Sequence, residues 1–151
     1  MKNKDIVLLV QAGILELTTL CLTPDEAYGF FKLRKSLRAA FEQVCSDERE
    51  MLSGVGIDDM QTFTARFEFL KGIALPSYAD SAEMDRISKT LSEFNQLHSK
   101  LLEEDVEIKP FPLTYEKWRS LLIENKDKSR LHGKTEELLE GILWAAPADN
   151  Q

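Results

Sequence analysis

The residue whose type and position could do chemistry most directly is His98. On a helical wheel it falls inside the apolar stripe Met84, Ile87, Leu91, Phe94 and Leu101. An imidazole held in such a seam can act as a pH-sensitive or acid–base group. Catalysis would also need a partner to orient the ring and a reacting group within hydrogen-bond reach. The spacing supplies no such constellation, so a neutral, hydrogen-bonded seam histidine is the plainer reading.

A second cluster, Phe31, Arg34, Lys35 and Arg38, shares one helical face turned about 100° from the neighbouring core stripe. A basic patch with an aromatic inside it suits phosphate or the acidic surface of a partner. The competing reading pairs these cations with Glu83, Asp85 and Glu93, or with Glu42 one turn beyond Arg38. Trp144 stands off the apolar face of the last helical segment, beside Ala145, Ala146 and Pro147. It is a contact-site candidate, set against packing of the indole onto the rest of the chain.

Other patterns fall short of a site. His132-Gly133-Lys134-Thr135 has the tail of a phosphate-binding loop, but Lys128 stands where the first glycine of that loop belongs. It reads as a helix start capped by Thr135. The carboxylates at Asp58-Asp59, Glu103 to Asp105 and Glu136-Glu137 lack calcium-loop spacing. Cys21 and Cys45 form no C-x-x-C and read as reduced, buried thiols of a cytoplasmic protein. No catalytic residue, metal or cofactor is expected.

Two long heptad-patterned segments must position these residues. The first, from Thr23 to about Leu52, opens on Thr23-Pro24-Asp25-Glu26, which offers an N-cap hydroxyl, a proline at the first helical position and the glutamate of a capping box. It places Phe30, Leu33, Leu37, Ala40, Phe41 and Val44 on one face and stops at Ser53-Gly54-Val55-Gly56. The second, Ser81 to Asp105, carries the His98 stripe. Two such stripes can close as an antiparallel hairpin. Residues 4 to 20 and the chain from Thr135 to Pro147 read as further amphipathic helices that pack on it.

Residues 57 to 80 fit two periods. Met60, Phe63, Phe67 and Leu70 recur as in a helix, while Phe63, Ala65, Phe67 and Phe69 alternate with polar neighbours. Aromatic and threonine content favours a strand over 62–70, paired with the alternating segment 106–109 as a minor two-stranded element. The expected architecture is therefore mainly α, one helical domain over 1–147, with a loose tail at 148–151.

With 151 residues, 43% hydrophobic and 30% charged, the composition is that of an ordered globular domain. A net charge of −7 disfavours nonspecific nucleic-acid binding, which requires a basic surface to displace counterions. The apolar run Ile6 to Leu15 is interrupted by Gln11, and Asp5 spoils a positive leader, so neither export nor a membrane span is expected. Heptad faces do not announce whether their partner is in the same chain, so self-association stays open.

The order Leu22-Thr23-Pro24 to Ala27, the charged helix Lys32 to Leu52, and Leu101-Leu102-Glu103-Glu104-Asp105-Val106-Glu107-Ile108 followed by Pro112-Leu113 is similar to a family of small tailed-phage proteins of unknown function. The chain departs from them in the aromatic insert at 60–78 and the helical segment after Glu124. The resemblance transfers no functional residue. It implies a phage or prophage gene acting in the bacterial cytoplasm or virion as a non-enzymatic binding protein. Partners of that kind are phage structural proteins or host proteins such as a defence enzyme. The alternative of another class is a ligand-binding domain or enzyme around His98, with Arg34 or Glu48 from the facing helix.

Overall fold

The computed structural model describes residues 1–143. These are mainly helical, with no strand among them: α1 Asn3–Gln11, a 3-10 turn Ile14–Glu16, α2 Pro24–Gly54, α3 Met60–Lys71, α4 Tyr78–Glu103, α5 Tyr115–Glu124 and α6 Lys134–Glu137. They form two compact units. One comprises residues 1–43 with the chain from Glu104 on, and the other is Val44–Glu103. Helix α2, 31 residues long, runs through the border. Length and composition, which set the expected count at one domain, do not separate these units.

Helix α2 starts where its sequence says. The Thr23 amide donates to Glu26 Oε1 at 3.1 Å and the Glu26 amide donates to Thr23 Oγ1 at 3.3 Å, closing the capping box. Hydrogen bonding of its carboxylate to the Thr23 amide, and then to the Thr23 side chain, holds Glu26 below its ordinary range. Helix α4 begins one turn earlier than the heptads suggest. Ser77 and Asp80 exchange the same reciprocal bonds at 3.1 and 3.2 Å, after the chain-breaking Pro76.

The strand expected over 62–70 is a helix. Asp59 caps it by accepting from the Gln61 amide at 3.0 Å and the Thr62 hydroxyl at 2.7 Å. The 3-4-3 spacing of Met60, Phe63, Phe67 and Leu70 then forms the inward face, with Leu70 buried, and Phe69 is left 63% exposed. A cap satisfied by a neighbouring side chain outweighs the modest β preference of Phe and Thr. Within Val44–Glu103, Arg66 of α3 forks onto Glu83 of α4 at 2.8 and 2.9 Å. Ile57, Leu70, Ile87, Phe94 and Leu101 are buried.

The segment 106–109 is extended, but its partner is the N-terminal backbone rather than 62–70. Val106 and Met1 exchange bonds at 2.7 and 3.1 Å, the Asn3 amide donates to Glu104 O at 3.0 Å, and Lys2 bridges Asp105 in antiparallel fashion.

The first helix is shorter than 4–20. Gly13, at φ 93°, takes the left-handed conformation and ends it, leaving the apolar residues after it to a 3-10 turn and an irregular run. That run is fastened by side chains. Asn125, fully buried, accepts from the Thr18 amide at 2.7 Å and donates to Thr18 O at 2.9 Å. Glu124 accepts from the amides of Leu20 and Cys21. The core of this unit gathers Ile6, Leu9, Phe30, Leu33, Leu37, Trp118, Leu121 and Leu139. Trp118 Nε1 is satisfied by Glu136 Oε1 at 2.9 Å. Helix α6 is confined to Lys134–Glu137 where a longer C-terminal helix is expected, and Thr135 lies inside it, with Gly133 at the cap position. The tail at 148–151 lies outside the described residues.

Candidate functional site

Helix α2 turns Phe30, Leu33 and Leu37 inward, all at most 2% exposed. At 100° per residue the opposite surface carries Tyr28, Phe31, Lys32, Lys35 and Arg38. Tyr28 is 61% and Phe31 52% exposed, and Lys32, Lys35 and Arg38 are exposed as well. The Lys32 ammonium stands 4.9 Å above the Tyr28 ring centroid. Neither Lys35 nor Arg38 makes an ion pair among the described residues. Of the carboxylates proposed to neutralise them, Glu83 is bound to Arg66.

Arg34 leaves this patch. Its guanidinium is turned inward, donating to Leu17 O at 2.8 Å and lying 4.9 Å from the Phe30 ring centroid. Its Nε is buried without a partner. Burial, and secondarily the charge of Arg38, lower its pKa. A side chain so placed fixes the turn at Ile14–Glu16 and is not presented to a ligand.

Beside the patch lies a pocket of about 360 Å³ lined by Gly29, Lys32, Leu33, Lys35, Ser36, Lys109, Pro110 and Phe111. Its floor exists because residue 29 has no side chain: a Cβ there would overlap the Phe111 ring. The Phe111 backbone is pinned in turn, its amide donating to Ile142 O at 2.6 Å. Lys109 is exposed and, like Lys35, makes no ion pair among the described residues.

Sequence reasoning places Phe31, Lys35 and Arg38 on one helical face, without showing whether Phe31 is exposed, and misses Tyr28, Lys32, Lys109 and Phe111. Two local signals exist for the missed wall. They are a glycine interrupting a strong helical pattern at position 29 and the stiff Pro110-Phe111-Pro112 tripeptide. Nothing in a single sequence says that the two meet.

His98, read from the sequence as a hydrogen-bonded seam histidine, is half-buried and bonded to a side chain. Its Nε2 lies 2.6 Å from Glu48 Oε1, with the two side chains 29% and 35% exposed. Its ring stacks on Phe94 at 5.3 Å, with planes 14° apart. An imidazole paired with a carboxylate is the orienting half of an acid–base arrangement. The wide groove on the α3–α4 face, about 690 Å³, is lined by residues such as Phe67, Ser92 and Lys100 and does not take in His98.

Cys21 and Cys45 are free and half-buried, and burial, then the Glu124 charge, raise the Cys21 thiol. No group of three or more His, Cys, Asp or Glu capable of holding a metal occurs among the described residues. No helix among them is long and apolar enough to cross a membrane. Trp144 lies outside the described residues. Comparisons with protein-family models, with curated proteins and with solved structures found no match to this chain.

Proposed function

We propose that the protein is a non-enzymatic protein-binding module, of phage or prophage type, that engages its partner through the outer face of α2. The observation that carries this reading is the exposure of Tyr28 and Phe31 amid Lys32, Lys35 and Arg38. Aromatic rings and arginine are residues that protein interfaces concentrate. The partner is a phage structural protein or a host protein such as a defence enzyme. The phage setting rests on the sequence resemblance alone. A hairpin of α2 and α4 belongs to the same reading, supported by the contact between Glu48 and His98.

The test is affinity capture of the tagged protein from infected and uninfected bacterial lysates, read by mass spectrometry. Wild type is compared with Phe31→Ala/Arg38→Ala. Recovery of one defined partner by wild type, and its loss with the variant, is expected. Equal recovery by both would sink the assignment to this face.

The short Glu48–His98 contact favours a second reading, an acid–base or small-ligand site at that pair. His98→Leu discriminates. A binding module retains capture with this substitution, whereas a site built on the imidazole loses its function.

A further inference from the structure

We propose that the pocket over Gly29 is a socket for an acidic segment of a protein partner. One aromatic or aliphatic side chain of that segment rests on Pro110 and Phe111, and its flanking carboxylates meet Lys32, Lys35 and Lys109. This rests on the reading of the α2 face as a protein-binding surface and specifies what that surface recognises.

Charge is the first argument. The chain carries −7 overall, yet all three ionisable groups lining this pocket are lysines. A local cationic site on an anionic protein attracts an anionic partner by complementarity, and rejects cationic ones. Each ammonium is a compact donor with three N–H groups for carboxylate oxygens.

Construction is the second argument. The cavity of about 360 Å³ falls at the small end of ligand pockets, commonly about 300 to 1,000 Å³. Its floor is the Phe111 ring, which the missing side chain at Gly29 admits against α2. A glycine sits in the interior of a long helix, where it is unfavourable relative to alanine, and an aromatic strap is tied at Phe111 to Ile142. The wall formed by Pro110 and Phe111 is apolar, so an inorganic anion alone would leave it unused. The socket also adjoins Lys32 and Tyr28 on the outer face, so one bound segment can engage both. A nucleic-acid strand is disfavoured by the overall charge.

Fluorescence anisotropy tests this with three labelled probes of equal length. They are a peptide with one Phe flanked by Asp and Glu, the same peptide with Lys in place of the acids, and an oligo-dT strand. Wild type is expected to bind the acidic peptide, less tightly as salt rises, and to ignore the lysine peptide. Lys35→Glu/Lys109→Glu, both at exposed positions, should weaken the acidic peptide by about tenfold or more, with helix content by circular dichroism unchanged. Equal affinity for that variant, preference for oligo-dT, or no binding of the acidic peptide overturns the socket. Capture that depends on Phe31 and Arg38 but survives Lys35→Glu/Lys109→Glu would reject the socket while leaving the binding face in place.

Discussion

The ring of Phe111 occupies the space where a Cβ on Gly29 would stand. In an exposed helix interior, replacing glycine by alanine stabilises by about 1 kcal/mol. Here the opposite sign is expected. Gly29→Ala should destabilise by about 1–3 kcal/mol, because the strap must lift or the helix must shift. Urea denaturation measures it. Gly29→Ala combined with Phe111→Ala should lose less than the sum of the two single variants.

Arg34→Met keeps the apolar stem and removes the donors to Leu15 O and Leu17 O. A loss of about 1–3 kcal/mol is expected, and amide exchange around the Ile14–Glu16 turn should rise more than exchange in α4. Retained protection of that turn would show that Arg34 is not what holds it.

Asn125 is fully buried and bonds Thr18 through both its oxygen and its nitrogen. Asn125→Ala should cost about 2–3 kcal/mol by leaving those backbone groups without partners. Asn125→Asp keeps an acceptor for the Thr18 amide but not the donor to Thr18 O, and should not restore full stability in thermal melts.

His98→Leu should change stability by no more than about 1 kcal/mol. The pair with Glu48 is partly exposed, and such pairs contribute little. A loss well beyond this range would mean that the imidazole holds more than its carboxylate.

The carboxyls of Glu26, Asp59 and Glu83 titrate below their ordinary values, through bonds to Thr23, Thr62 and Arg66 respectively. Folding therefore favours their ionised forms. Their contribution is complete above the unfolded value, near 4.5 for the glutamates, and is lost as pH falls through the lower folded values. Melting temperature should fall with acidification across that window, and Glu26→Gln or Glu83→Gln should flatten the fall. An unchanged acid limb in both variants would contradict the capping and ion-pair assignments.

What the sequence makes legible here is local. The Thr23–Glu26 box announces the start of α2, and the stripe from Phe30 to Val44 announces its buried face, because both signals lie within a few turns of each other. The error at 62–70 has the same origin. The two periods coexist in Phe63 and Phe67, and the deciding residue is Asp59, whose role as a cap depends on a hydrogen bond rather than on any pattern in hydropathy. The pairing of 106 with Met1, the grip of Glu124 and Asn125 on residues 18–21, and the meeting of Gly29 with Phe111 are distant in sequence. One chain read alone carries no trace of them. The inward turn of Arg34 is of this kind too, since its acceptors are backbone carbonyls, which every residue has.

The division of the chain has a consequence for synthesis. Val44–Glu103 is one continuous stretch, so its contacts close over short loops. The other unit is assembled from two pieces that flank it. As the polypeptide emerges from the ribosome, the apolar faces of Ile6, Leu9, Phe30 and Leu33 come out long before Trp118, Leu121 and Leu139, the residues that share their core. The first forty-odd residues thus wait, uncovered, while the intervening stretch can already settle. The interval between those two events is when the nascent chain is most open to aggregation and to chaperones.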